Sequence, residues 1–269
     1  MNKKIILNEK EICDMYLQGK SLKKISDFLE HKSSGPTKKI LLKNNIKIKK
    51  QGSGNNRKIN LNENYFDEIN TENKAYVLGW LISDGYVNNY KLTFCIKDLE
   101  ILELIKKELN SEHKIIDNNY FDKRTNKTYQ RYILQITSKK IIDSLYKLGI
   151  KQKKSFNCPF PIIKNKFIPD LIRGIFDGDG YIGFINKNNK PYPRLSITIN
   201  FEICNEIRNI LFKMNIIIPK FSIVSKKNKE SVCKLEINGF KRINIFKNFI
   251  YHKESCIKLN RKYEIFSKI

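Results

Sequence analysis

The feature that most constrains this chain is a stretch it contains twice. AYVLGWLISDG closes at Gly85 and LIRGIFDGDG closes at Gly180, each an apolar run ending in a carboxylate and a glycine, then an aromatic residue and a β-prone segment. One SDG or GDG reads as a helix stop before a turn. Two copies in one context, with Asp84 and Asp179 at equivalent places, predict a duplicated unit. Counting by four, Ala75, Gly79 and Ser83 fall on one side of the first helix, and Gly174 and Gly178 on one side of the second. Small residues at that interval let two helix backbones approach closely. Such packing would set Asp84 and Asp179 side by side at the C-terminal ends, with Gly85 and Gly180 supplying a left-handed stop.

The elements around each copy also recur. The first copy reads as a helix to Asp84, strands through YVNNYKLTFCIK, helix DLEILELIKKELN, a hairpin ending in ITS, and helix KKIIDSLYKLGI. The second reads as a helix to Asp179, strands YIGFINKNNKPYPRLSITI, helix FEICNEIRNILFKMN, hairpin PKFSIVSKKNKESVCKLEI, and helix FKRINIFKNFI. The expected fold class is α+β: two pseudo-symmetric αββαββα half-domains, 61–155 and 156–269, with antiparallel sheets. Residues 1–50 read as a small all-α module of three short helices, with Ser21 and Ser34 as caps, Pro36 in a first turn and a stop at Gly19. That pattern suits a helix-turn-helix whose third helix places Thr37, Lys38 and Lys43 toward a DNA groove. Residues 51–60, polar and cationic, read as a basic linker.

Lys and Arg number 52 against 27 Asp and Glu in 269 residues, a formal net charge of +25, so a polyanion is the expected partner. The sequence is rich in Ile, Lys and Asn, and that bias inflates charge without any binding role. No apolar run approaches the ~20 residues of a spanning helix, and the apolar part of MNKKIILNEKEICDMY is too short for a signal peptide. A soluble, intracellular monomer with no membrane partner is expected. The six cysteines are widely spaced without C-x-x-C, and the three histidines lack ligand spacing, which argues against a zinc site or a disulfide framework.

A carboxylate at a helix C-terminus is opposed by the helix dipole by ~0.3–1 kcal/mol, and two such groups repel, so the pair asks for a cation. Mg²⁺ (or Mn²⁺) takes one or two protein carboxylates and completes its shell with water and phosphate, which suits phosphodiester hydrolysis. Strand alternation turns Lys91, Thr93, Lys97, Arg131, Gln135, Thr137, Arg194, Ser196, Thr198, Asn200 and Lys234 away from the core. That mixture suits base-edge readout in a major groove, while the turns DKRTNK and SKKNKE suit phosphates.

VLGWLISDG and IRGIFDGDG resemble the paired motifs of single-chain LAGLIDADG homing endonucleases, over roughly residues 61–269. The resemblance implies that the last acid of each motif, Asp84 and Asp179, binds metal. The earlier motif acid is Asp177 in the second copy but Ile82 in the first, which puts a catalytic part for Asp177 in question. The segments IKQKKSFNCPFP and LNRKYEIF resemble the family's basic segments, implying Lys154 and Lys262 as the residues that stabilise charge or polarise the attacking water. The activity implied is Mg²⁺-dependent, site-specific cleavage of double-stranded DNA leaving staggered ends, with the N-terminal module extending the site. An intron RNA maturase or a non-cleaving DNA-binding regulator is the alternative on the same fold.

Overall fold

A computed structural model describes residues 8–48, 59–155, 157–218, 222–227 and 230–269, so most of the expected linker lies outside it. The described residues fall into two units, meeting in sequence at Lys58 and Ile59.

The first unit holds three helices. α1 (Glu9–Leu17) starts at a capping box in which Asn8 and Glu11 bond reciprocally, α2 (Leu22–Phe28) starts at Ser21, whose hydroxyl accepts from Lys24 N, and α3 (Gly35–Lys43) carries Pro36 in its first turn. Ile12, Ile25 and Leu29 form the small core. Its polar element is a buried 2.7 Å hydrogen bond between the Ser26 and Thr37 hydroxyls.

The second unit begins with α4 (Glu72–Asp84), capped by Thr71, and runs without a loop into β1 (Gly85–Val87). Then come β2 (Lys91–Ile96), α5 (Leu99–Glu108), β3 (Ile115–Asp117), β4 (Tyr120–Asp122), β5 (Lys127–Tyr129), β6 (Tyr132–Thr137) and α6 (Lys139–Lys147). A 3₁₀ turn over Asn165–Phe167 leads into α7 (Ile168–Asp179), which has Pro169 in its first turn. After it come β7 (Gly180–Lys187), β8 (Lys190–Asn200), α8 (Phe201–Lys213), β9 (Ser222–Lys227), β10 (Glu230–Asn238), α9 (Phe240–Ile250) and α10 (Asn260–Phe266).

Each half thus builds one four-stranded antiparallel sheet, in order β1-β2-β6-β3 and β7-β8-β10-β9. Strand alternation buries Leu92, Phe94 and Ile96 in one sheet and Leu195, Ile197 and Ile199 in the other, and one continuous core joins both halves. Each of these side chains contributes ~1.5–3 kcal/mol by leaving water. The two halves differ in detail: in the first, β4 and β5 pair as a two-stranded ladder beyond β3 and β6, while in the second β7 and β8 run 8 and 11 residues against 3 and 6 for β1 and β2, and α10 follows α9. No helix among the described residues is long and apolar enough to cross a membrane.

Candidate active site

α4 and α7 lie against each other along the small-residue stripe. A Cβ at Gly79 would sit 2.8 Å from Ile175 N and 2.9 Å from Gly174 Cα, and one at Gly174 would sit 3.0 Å from Gly79 Cα. Backbone fills the space a side chain would need, so only glycine permits this approach. Near the C-terminal ends a Cβ at Gly178 would meet Asp84 Oδ2 at 2.6 Å and the Ser83 side chain. Asp84 therefore rests on the residue immediately before Asp179, and the two carboxylates share one helix junction.

Gly85 and Gly180 do not supply a left-handed stop. Their backbones are extended (φ −75°, ψ 144° and φ −85°, ψ 153°), passing directly from helix to strand. Glycine is needed for closeness: a Cβ at Gly85 would lie 2.6 Å from Leu81 O, and one at Gly180 would strike Phe176.

Two buried lysines sit beneath the junction. Lys154 Nζ donates to the carbonyls of Ile82 (2.5 Å) and Ser83 (2.9 Å) at the end of α4. Lys262 Nζ does the same for α7, donating to the carbonyls of Phe176 (2.8 Å), Asp177 (2.7 Å), Gly178 (3.3 Å) and Gly180 (2.5 Å). Each ammonium satisfies helix-end carbonyls and opposes the negative end of the dipole. Burial lowers both lysines, Lys262 to about 8, against the pull of nearby acids.

The carboxylates remain undercompensated even so. Burial raises Asp84, with Lys154, the Ser83 hydroxyl and Lys262 opposing. Asp179 is pushed up to about 7, first by burial of its carboxylate and then by the charge of Asp84, with Lys154 and Lys262 opposing. Asp179 is exposed as a residue, and its carboxylate lies in the field of Asp84, Lys154 and Lys262. Two acids and two lysines thus form one electrostatic cluster whose negative members are left short of positive charge. That is the donor set a hard divalent cation fits.

Asp177 faces the other way. It is fully buried; Oδ2 accepts from Tyr76 OH (2.8 Å) and Leu259 N (2.9 Å), and Oδ1 from Tyr251 OH (3.3 Å). It staples α7 to α4 and to the C-terminal segment, and burial raises it to about 6. Arg261, beside Lys262, makes a two-pronged pair with Asp98 of the first half at 2.8 and 2.9 Å.

The outward sheet faces align in rows. In the first sheet Tyr86, Thr93 and Gln135 are cross-strand partners, as are Lys91 and Thr137; in the second Tyr181, Ser196 and Glu236 are partners, as are Thr198 and Lys234. Lys91, Lys97, Gln135 and Thr137 are exposed, and Thr93, Thr198 and Arg194 partly so. Arg131 stacks over Tyr120 with its guanidinium 4.7 Å from the ring centre. Lys234 is tied to Glu236 at 2.9 Å, with Arg194 at 3.9 Å from the same oxygen.

Three of the residues expected to face DNA are buried. Ser196 is buried between its row neighbours, and Asn200 is buried because its side chain caps α8, accepting from Ile203 N at 3.1 Å. Thr37 is buried against Ser26 rather than turned outward. On the same helix Lys38 is exposed, and Lys43 pairs with Glu9 at 2.8 Å.

The sequence reading missed one cluster. All six cysteines are free, but Cys256 comes together with His252 and Asp170, one ligand atom from each lying within 4.8 Å of the others. The available signal was the H-x-x-x-C spacing of YHKESC; the partner acid, 82 residues before His252, left none.

No family model matches the chain. It is 29% identical over 202 residues, 71% of this chain and 70% of the other, to an uncharacterized protein of Methanocaldococcus jannaschii. Similar solved structures include the homing endonuclease I-WcaI bound to its DNA recognition sequence, with 16% identity, 80% of this chain and 95% of that one covered, and a TM-score of 0.49. They also include the LAGLIDADG meganuclease I-CpaMI bound to uncleaved DNA, with 12% identity, 72% and 89% covered, and a TM-score of 0.48.

Proposed function

We propose that this protein is a single-chain LAGLIDADG homing endonuclease that hydrolyses both strands of a specific double-stranded DNA site. The reading is carried by one observation: Asp84 and Asp179, the closing acids of the duplicated motif, share one junction at the ends of glycine-packed helices. Each acid belongs to one half, so each serves one strand.

Asp84 and Asp179 would hold the divalent cation, Mg²⁺ or Mn²⁺, which when bound supplies Lewis acidity and neutralises charge on the phosphate. Lys154 and Lys262 hold the helix ends in place and keep positive charge beneath the junction. Lys262, lowered to about 8 by burial, directs its N–H groups to the helix-end carbonyls and so serves the site through its charge. The exposed rows on the two sheets read base edges, and the turn at Lys123–Lys127 contacts phosphates. Lys38 of the N-terminal unit extends the contact.

The test is cleavage of a supercoiled plasmid library of candidate sites with Mg²⁺. Wild type is expected to linearise cognate plasmids, and Asp84→Asn or Asp179→Asn to slow this on the order of 10²-fold or more while still binding DNA. Unchanged double-strand cutting by both variants refutes the reading.

A further inference from the structure

At the opposite end of α7, nine residues or about 13 Å along the helix from Asp179, the cluster of Asp170, His252 and Cys256 has no part in the scheme above. Asp170 lies in the first turn of α7, and the other two lie on the segment after α9. Arg173 braces this segment: Nη1 donates to Ile250 O and Nε to Ile257 O, both at 2.7 Å, one on each side of His252 and Cys256. The same guanidinium holds Asp170 Oδ1 at 2.7 Å, and His252 Nε2 stands 3.2 Å from that oxygen. Asp170 Oδ2 is fully buried and has no hydrogen-bond partner.

We propose that Asp170, His252 and Cys256 bind a borderline-soft divalent cation, Zn²⁺, at a site separate from the carboxylate pair. A thiolate, an imidazole and a carboxylate select zinc over magnesium, which takes oxygen ligands. Bond lengths of roughly 2.0–2.3 Å around tetrahedral zinc put ligand atoms roughly 3.3–3.8 Å apart. One carboxylate oxygen, a ring nitrogen and the sulfur lie within 4.8 Å of one another, so the shell must close by about 1 Å or more with the carboxylate turning to offer Oδ2, and His252 reaches the surface and can swing. Oδ2 is the carboxylate atom free to ligate, while Arg173 on Oδ1 fixes the carboxylate from the outer shell. The fourth position falls to water on the open side at His252. The segment so fastened continues to Leu259, which donates to Asp177, and to Lys262 beneath the junction. Zinc would therefore hold in register the strap that positions Lys262.

The experiment is a Co²⁺ titration of the metal-stripped full-length chain, followed by Zn²⁺ competition and thermal melts. One equivalent of Co²⁺ is expected to raise a thiolate-to-cobalt charge-transfer band that Zn²⁺ displaces. Cys256→Ser removes the band, His252→Gln weakens binding by at least ~10-fold, and Asp84→Asn with Asp179→Asn leaves it intact. Zn²⁺ should raise the melting temperature of wild type and not of His252→Gln, whose surface position lets the variant fold. No charge-transfer band in wild type, or a band of undiminished affinity in His252→Gln, overturns the site.

Discussion

A carboxylate drawn out of water at the negative end of a helix has two reasons to stay protonated, and Asp179 adds a third in the charge of Asp84. Its folded-state value of about 7 lies above the ordinary carboxylate range near 4. A raised carboxylate favours the native state while protonated, so its contribution is full below about pH 4 and is lost as pH rises through about 7. Asp179→Asn removes that penalty. In chelator the variant should melt above wild type at pH 8 and together with it at pH 4. A variant no more stable than wild type at pH 8 means that Asp179 is not destabilised by its setting. Lys262 shows the complementary arrangement, a buried ammonium made tolerable by four carbonyls at one helix end.

Between elements, the seam of α4 and α7 depends on what is missing. Gly79→Ala or Gly174→Ala puts a methyl where backbone already lies, and the helices must part, at a cost of about 3 kcal/mol or more. Gly35→Ala is the control: the nearest atom, Ser33 Oγ, lies 3.5 Å from the added carbon, so stability should hold or rise slightly. Urea midpoints of the three variants measure both. This seam was legible in the sequence because four-residue spacing is a local signal, as were the αββαββα order and the Ser21 cap. What stayed hidden depends on long-range or packing facts. Thr37 turns inward because Ser26 offers its hydroxyl a partner, and Ser196 is covered by row neighbours fixed by sheet register. The sequence suggests a left-handed stop at Gly85, but its backbone is extended, and closeness to Leu81 leaves the same trace in sequence as a positive φ. The pairing of Arg261 with Asp98 crosses the halves, and no spacing rule reaches that far.

For the molecule as a whole, +25 of net charge governs encounter more than selectivity. If DNA is the ligand, its association constant should fall by about 10³-fold or more between 50 and 200 mM salt. Replacing Lys123 and Lys127 with Gln should lower the slope of log K against log salt by about 2 and leave the ranking of sites unchanged. Binding indifferent to salt argues against phosphate contacts altogether. The first half carries the β4–β5 ladder with Tyr120, Phe121 and Tyr129 exposed, and the second half carries the long β7–β8 hairpin instead. If a duplex is the ligand, halves so unlike meet its two ends with different chemistry, so the best target has no dyad, and reversing it should be felt as a mismatch.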